Sequence, residues 1–333
     1  MGGQKITAFV TGGTGLLGSR LIFDLLSSGR KVIALKREKS DKKLISRYLE
    51  NDENLIWVEG DINDIFSYEE AMQQSDEVYH AAAAVDFSNR NGDYIYKVNV
   101  EGTANMVNAA LEFNVKKFCH VSSVATLGKP DPGGELNEND WKEVNKKSVY
   151  SITKFQAERE VWRGIAEGLN AVIVNPVIIL GPGDWRVDSS KIIALIAGGL
   201  RFFTKGNISL VDVKDVSSIM IKLMDRNIFS ERFIISEGTY SYSEFFKEVT
   251  ECLGIEPPNF ELQKWMLEIA WRADAIKAFI TRTPGILSQE ISEALFRNYK
   301  VSNKKIKEKL EHEFISLHEM VDDICHLYLK EEV

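Results

Sequence analysis

The segment Thr11-Gly-Gly-Thr-Gly-Leu-Leu-Gly18 is the strongest indication of the fold class. It directly follows the β-branched apolar run Ile6 to Val10 and opens an amphipathic stretch that ends near Ser28. Glycines in this pattern allow a tight turn, close approach of backbone N–H groups to a phosphate, and packing of a helix on a strand. The strand-loop-helix setting therefore predicts a dinucleotide-binding loop. A P-loop is excluded, because no Gly-Lys-Ser/Thr follows.

The same alternation of β-branched runs and amphipathic stretches continues beyond the loop, as expected for βαβ units in a parallel sheet. The predicted strands are Ile6 to Val10, Lys31 to Leu35, Leu55 to Val58, Glu77 to His80, Lys117 to Ser122 and Ala171 to Asn175. Each is short and mostly apolar on both faces, as strands covered by helices on both sides must be. The predicted fold class is α/β, a Rossmann-type doubly wound parallel sheet.

The regular alternation of strands and helices ends after Pro176, although Leu210 to Val213 and Phe233 to Ser236 are predicted as further strands. From Tyr240 onward the pattern is mainly helical. We predict a dinucleotide-binding domain of residues 1–177 and 208–237. Residues 178–207 and 238–333 are predicted to form a smaller, mainly helical substrate domain. The cleft between the two is the expected ligand site.

Composition fits a folded protein of about two domains, because 333 residues exceed the usual ~150 per domain. Lys and Arg number 41 against 49 Asp and Glu, a formal charge of −8 that argues against nucleic acid as a partner. No apolar run approaches the ~18 residues of a spanning helix and no export signal is evident. We predict a cytoplasmic protein without membrane contact.

No metal site is predicted from the spacing of cysteines and histidines. Cys119, Cys252 and Cys325 lie far apart and form no CxxC pair, and the segment after His312 lacks the second His of His-Glu-x-x-His. His80 and His120, in or beside predicted strands, are expected to be core histidines with satisfied hydrogen bonds.

The end of the second predicted strand bears on the choice of cofactor. An acidic residue there would accept from a ribose hydroxyl, whereas an Arg would suit a 2′-phosphate. The strand ends in Leu35-Lys36-Arg37, which favours NADP over NAD. Glu38 leaves NAD open, because a shift of one residue would bring it to the ribose.

The segment Tyr150-Ser-Ile-Thr-Lys154 is the single Tyr-x-x-x-Lys of the sequence. Residues i and i+4 share one face of a helix, so the ammonium group can sit near the phenol. A nearby positive charge lowers a phenol pKa from about 10 by roughly 1 to 3, which would make Tyr150 a usable acid or base. Ser123, after the fifth strand, is a candidate to hydrogen-bond a substrate oxygen.

Together these residues resemble the extended short-chain dehydrogenase/reductase family. The matching segments, in family order, are the loop Thr11 to Gly18, Asp61-Ile62, Ala81-Ala82-Ala83, Asn99-Val-Glu-Gly-Thr103, Ser122-Ser123, Tyr150 with Lys154, Asn175-Pro176 and Val211-Asp-Val-Lys-Asp215. The chain looks most similar to dihydroflavonol-reductase-like, aldehyde-reductase and 3β-hydroxysteroid-dehydrogenase-like proteins.

The resemblance implies a role for each matching residue. Ser123, Tyr150 and Lys154 would be catalytic, with Ser123 preferred to Ser122 because of its spacing to Gly128. The implied cofactor-binding residues are Gly12, Thr14, Gly15, Leu16, Leu17, Gly18, Arg37, Asp61, Ile62, Ala81, Ala82, Ala83, Asn99, Ser122, Tyr150, Lys154, Asn175, Pro176 and Val177. Relatives often pair through the helix that bears the Tyr, so the resemblance leaves both a monomer and a homodimer open.

Three functions follow from the resemblance. The first is an NAD(P)H-dependent reductase or alcohol dehydrogenase that transfers hydride between nicotinamide and a carbonyl or alcohol carbon of a small molecule. The second is a nucleotide-sugar epimerase with the same triad, for which Arg186, Arg201 and Arg282 are candidate diphosphate ligands. The third is a catalytically silent scaffold. A dehydratase is disfavoured, because Val124-Ala125 stand where sugar dehydratases of the family carry an Asp-Glu pair.

Overall fold

The structure is a computed structural model that describes residues 5–85, 91–141, 148–187, 189–281 and 289–332. The strands are β1 Thr7–Thr11, β2 Lys31–Lys36, β3 Leu55–Glu59, β4 Glu77–His80, β5 Lys117–Val121, β6 Ala171–Pro176, β7 Ile178–Leu180, β8 Phe202–Phe203, β9 Asn207–Asp212, β10 Glu231–Ile235, β11 Gly238–Ser241 and β12 Phe260–Glu261. The α-helices are α1 Leu16–Ser27, α2 Glu69–Gln73, α3 Gly92–Tyr96, α4 Gly102–Glu112, α5 Val149–Ala166, α6 Lys191–Ala197, α7 Val213–Asp225, α8 Tyr242–Leu253, α9 Lys264–Thr281, α10 Gln289–Leu295, α11 Lys304–Leu310 and α12 Leu317–Glu332.

The predicted parallel sheet is confirmed. Within the described residues it has seven strands in the order β10-β6-β5-β4-β1-β2-β3, and every neighbouring pair is parallel. The chain runs outward from β1 to β3, then returns to place β4 on the other side of β1. This reversal makes a switch point, and ligands of doubly wound sheets bind outside the carboxyl ends of the strands there.

Both faces of the sheet are buried, as the strand composition predicted. Phe9 and Phe118 face a core shared with α4 and α5, whereas Val10 and Cys119 face a core shared with α1 and α7. Successive residues of a strand point to opposite faces, so an apolar run supplies both cores at once.

The second half of the chain departs from the predicted elements in two ways. Of the predicted strand Leu210 to Val213, the first three residues end β9 and Val213 begins α7. β9 belongs to a separate three-stranded sheet in the order β11-β9-β7. The short β7 and β11 went unpredicted, because three or four residues are too few to show an alternation. β10 does join the large sheet and begins two residues before the predicted Phe233.

The helical C-terminal region has its own core, in which α6, α8 and α12 pack together through residues such as Phe245, Val249 and Ile324. α11 instead packs on the large sheet, where Ile306 and Leu310 join the core of α1 and α7. None of the helices in the described part of the chain is both long and apolar enough to cross a bilayer.

Candidate active site

Four of the segments singled out in the sequence meet at one edge of the large sheet. They follow the last residues of β1, β4, β5 and β6, which are Thr11, His80, Val121 and Pro176. These four strands are consecutive neighbours in the sheet. The glycine loop, Ala81 to Ala83, Ser122-Ser123 and Val177 therefore lie side by side at the switch point.

Two glycines of the loop are demanded by the fold. Gly12 has φ +74°, and a Cβ there would lie 2.7 Å from the carbonyl carbon of Ala81. A Cβ on Gly18 would lie 2.1 Å from the carbonyl oxygen of Gly12. Neither position accepts a side chain, because the loop, the end of β4 and the first turn of α1 are in backbone contact.

Gly15 is different, because a Cβ there would meet the Gly12 oxygen at an ordinary 3.5 Å. Gly15 is exposed and occupies the N-cap of α1, and no side chain caps this helix. The first N–H groups of a helix have no partner within it, and they attract anions. Leu16 and Leu17, the first residues of α1, present such groups, so the loop fits a dinucleotide pyrophosphate.

His80 holds this edge together, a role that the sequence did not reveal. The Thr103 hydroxyl donates its one proton to the Asn99 carbonyl oxygen at 2.6 Å. It can therefore only accept from His80, whose Nε2–H donates to it at 3.0 Å. His80 Nδ1 then accepts from the Thr11 hydroxyl at 2.7 Å, and Thr11 accepts from the Ala82 N–H at 3.2 Å. Burial lowers the pKa of His80 to about 3, so the ring stays neutral.

Ser123, Tyr150 and Lys154 converge at the end of β5. Helix α5 begins at Val149, where the Ser148 side chain accepts from the Ser151 N–H, so Tyr150 lies in its first turn and Lys154 one turn later. The Tyr150 and Ser123 side chains are hydrogen-bonded. Lys154, only 2% exposed, donates from Nζ to the Val121 carbonyl oxygen at 2.8 Å.

The pKa of Tyr150 is raised, opposite to the direction expected from the Tyr-x-x-x-Lys spacing. Burial raises it, and the hydrogen bond from Ser123 only partly opposes this. Burial also lowers the pKa of Lys154 to about 8, against the opposing charge of Glu158. The spacing puts both residues on one face of α5, but desolvation outweighs the Ser123 hydrogen bond in setting the phenol pKa.

The two serines after β5 have different partners. Ser122 Oγ donates to Glu158 Oε2 at 2.8 Å, whereas Ser123 is bonded to Tyr150. Asn175 Nδ2 donates to Glu158 Oε2 and to the Ser123 carbonyl oxygen, both at 3.1 Å. Ser123 is thus the hydroxyl beside the phenol, and the Ser122 side chain points into the protein.

Glu158 organises this region and was missed in the sequence. It is fully buried, and Arg232 of β10 contacts its other oxygen, with Nη2 to Oε1 at 2.9 Å. An acidic residue four positions after Lys154 on the same face of α5 was the available signal.

Asn99 lies in a π-helical turn, Lys97–Glu101, between α3 and α4. Its side chain accepts from the Ala84 N–H at 2.7 Å and donates to the Ala84 carbonyl oxygen at 3.0 Å and to Thr153 Oγ1 at 3.2 Å. π-turns are frequent at functional sites. This one ties the segment after β4 to the helix of Tyr150.

Arg37 and Asp61, two of the predicted cofactor-binding residues, line an open cleft at the ends of β2 and β3. The cleft holds about 660 Å³ and is lined by Arg37, Glu38, Lys39, Ser40, Glu59, Gly60, Asp61, Asp64 and Ser67. Arg37 Nη1 donates to the Tyr94 hydroxyl at 2.9 Å. Asp61 is exposed, whereas Ile62 is 8% exposed and packs in the core, so its side chain points away from the cleft.

Some candidates for the substrate side cannot be placed at the site. Arg282 lies outside the described residues. Arg186 is exposed and pairs with Asp184 at 3.1 Å, and Arg201 is also exposed.

Comparisons with known proteins agree with this architecture. The model of the NAD dependent epimerase/dehydratase family matches residues 8–235. The chain is 27% identical over 310 residues to a putative dihydroflavonol 4-reductase of Synechocystis, covering 90% of this chain and 88% of the relative. It is 24% identical over 299 residues to UDP-glucose 4-epimerase of Vibrio cholerae, covering 85% and 87%.

Among solved structures, that of gox2253 superposes with a TM-score of 0.83 at 26% identity, covering 98% of this chain and 99% of the other. The sheet topology and the residues at its edge are therefore those of a dinucleotide-binding α/β enzyme. The chain belongs to the NAD-dependent epimerase/dehydratase family, which confirms the resemblance noted in the sequence.

Proposed function

We propose that the chain is an NADPH-dependent reductase that converts a carbonyl group of a small molecule to an alcohol. The observation that carries this proposal is the meeting of Ser123, Tyr150 and Lys154 at the end of β5. They lie at the same sheet edge as the glycine loop. A phenol, a hydroxyl and an ammonium group beside a dinucleotide loop are the parts needed for proton transfer coupled to hydride transfer.

The bound nicotinamide would supply the hydride. Tyr150 would donate its proton to the carbonyl oxygen, and its raised pKa keeps it protonated and ready to do so. Ser123 would donate a second hydrogen bond to the same oxygen. Lys154 would stabilise the phenolate left behind, because its ammonium group is fixed by the bond to Val121 at the end of β5, where Ser123 holds the phenol.

The second candidate is a nucleotide-sugar epimerase, favoured by the similarity to UDP-glucose 4-epimerase of Vibrio cholerae. An epimerase returns the hydride to the same substrate, so it retains its cofactor. Cofactor exchange separates the two functions. We expect added NADPH to exchange freely and to be consumed with carbonyl substrates. Tightly retained dinucleotide with interconversion of UDP-sugars would favour the epimerase.

Tyr150→Phe tests the proposed proton donor. Removal of one hydroxyl should lower kcat/KM for carbonyl reduction by roughly 10²- to 10⁴-fold, the usual contribution of a positioned acid. NADPH affinity, measured by fluorescence titration, should stay within a few-fold. Tyr328→Phe on α12 is the matched control and should retain activity. Near-normal turnover by Tyr150→Phe with cofactor bound would overturn the mechanism.

A homodimer and a cytoplasmic location stay predictions.

A further inference from the structure

A cluster of metal-ligating side chains lies outside the cleft, where the end of α8 meets α12. Cys252 is the penultimate residue of α8, and Asp322 and His326 stand one turn apart on α12. One ligand atom from each of the three lies within 4.8 Å of the other two. The cluster joins two helices that are about 70 residues apart in the chain.

The spacing of the ligand atoms is close to that of a tetrahedral site. Cys252 Sγ lies 3.9 Å from Asp322 Oδ1, and His326 Nδ1 lies 3.2 Å from the same oxygen. Around Zn²⁺, ligands at about 2.0 to 2.3 Å in tetrahedral directions stand roughly 3.3 to 3.8 Å apart. The three ligand atoms lie within 4.8 Å of one another, so side-chain shifts of up to about 1 Å would complete the geometry. His326 Nδ1 donates to the Asp322 carbonyl oxygen at 2.8 Å, so binding through Nδ1 requires that this bond and its proton be given up.

The local structure keeps Cys252 in place. Helix α8 ends at Gly254, which has φ +67° and donates its N–H to the Glu251 carbonyl oxygen, while the Ile255 N–H returns to Thr250. This cap fixes the last turn of α8, and the carbonyl end of a helix favours a cation. Cys252 packs partly against the core shared by α8 and α12, which holds its sulfur toward α12.

The chemistry of the three ligands selects the metal. A thiolate, an imidazole and a carboxylate suit Zn²⁺, whereas Ca²⁺ and Mg²⁺ prefer oxygen ligands alone. The thiolate and the carboxylate would balance the charge of a divalent ion. Asp322 and His326 are exposed and Cys252 is half-buried, so an ion can enter from solvent.

We propose that Cys252, Asp322 and His326 bind Zn²⁺ between α8 and α12, with water in the fourth position. The site is independent of the proposed reductase function, because it lies on the helical C-terminal region. Its effect is to join the two helices and so stabilise that region.

The test uses the full chain, reduced and treated with a chelator. We expect calorimetric titration to show one Zn²⁺ per chain and Co²⁺ to give a thiolate charge-transfer band. Zn²⁺ should also raise the Tm, because an ion that binds only the folded chain stabilises it. Cys252→Ser and His326→Ala should each weaken binding by roughly 100-fold or more, beyond the loss that outer contacts cause.

His318→Ala is the matched control, since His318 is an exposed histidine of the same helix that faces Glu248 at 3.2 Å. It should bind Zn²⁺ as the wild type does. Without metal, the variants should have the same Tm as the metal-free wild type, which would show that the substitutions do not cause misfolding. Absence of saturable binding, or equal binding by Cys252→Ser, would overturn the proposal. Reductase activity is read separately, so failure of either proposal leaves the other intact.

Discussion

Lys154 carries a positive charge into a place where water cannot solvate it. Burial lowers its pKa to about 8 from 10.5 in an exposed lysine, although Glu158 opposes the shift. Between these two pH values the unfolded chain binds a proton that the folded chain does not. The free energy of unfolding must therefore rise with pH across this range, and the charged form needed at pH 7 destabilises the fold.

Lys154→Met makes this cost measurable. From pH 7 to pH 10 the wild type should gain about 2 kcal/mol of unfolding free energy relative to the variant, because only the wild type relieves a buried charge. Urea unfolding of both proteins at the two pH values checks the difference. Lys191→Met, at an exposed lysine, controls for removing any ammonium group. If the unfolding free energies of wild type and Lys154→Met changed equally with pH, the prediction would be contradicted.

Arg37 is the residue on which the proposed preference for NADPH depends. It lines the open cleft at the end of β2, where a 2′-phosphate would lie. Arg37→Glu should weaken NADPH binding by roughly 10- to 100-fold, the worth of a charge-assisted hydrogen bond, and leave NADH binding unchanged.

Fluorescence titration with both cofactors checks the Arg37 prediction. Lys42→Glu is the control, because Lys42 belongs to the same basic run but lies over the Trp57 ring. An NADPH affinity that does not fall in Arg37→Glu would make the proposed preference wrong.

Within the glycine loop, Gly18 is needed for the packing of the fold, whereas we expect Gly15 to be needed for ligand binding. Gly18 is in backbone contact with Gly12, whereas Gly15 has ordinary space around its missing Cβ. The two positions look equivalent in the sequence pattern, and the structure divides them.

Alanine substitutions test this division. Gly18→Ala should lower the unfolding free energy by about 1 to 3 kcal/mol through overpacking and also impair NADPH binding. Gly15→Ala should stay within about 1 kcal/mol of the wild type, the usual effect at an N-cap, yet lose roughly 10-fold or more in NADPH affinity. Chemical denaturation and cofactor titration measure the two effects. Equal destabilisation by both substitutions would contradict the assignment.

Helix α5 carries the reactive side chains on one turn and their support on the next turns. Lys154 bonds to the end of β5, and Glu158 accepts hydrogen bonds from Ser122 and Asn175 and forms an ion pair with Arg232 of β10. A buried carboxylate is tolerated only when paired and hydrogen-bonded. The helix is thereby fixed against the sheet edge, which holds Tyr150 beside Ser123.

At the scale of the molecule, the C-terminal region does not form a separate layer. Ile306 and Leu310 of α11 pack into the core between the large sheet and helices α1 and α7. The last third of the chain thus contributes to the stability of the part that carries the glycine loop.

Ile306→Ala should lower the unfolding free energy by about 2 to 5 kcal/mol, as expected for a truncation that leaves a cavity in a core. Ile269→Ala is the matched control at a position that is 60% exposed, and it should change stability by less than about 0.5 kcal/mol. Denaturation curves compare the two. A neutral effect of Ile306→Ala would show that α11 only rests on the sheet.

The parallel sheet, the glycine loop and the segments that meet at the sheet edge could all be predicted from the sequence. These depend on local periodicity, on glycine stereochemistry and on helix spacing, all of which act over a few residues. Tertiary packing was needed to establish the direction of the Tyr150 pKa shift, the partners of Ser122 and Ser123, and the roles of His80 and Glu158. It alone brought Cys252 next to Asp322 and His326. Burial and contacts between distant segments arise only when the chain is packed, and no local pattern encodes them.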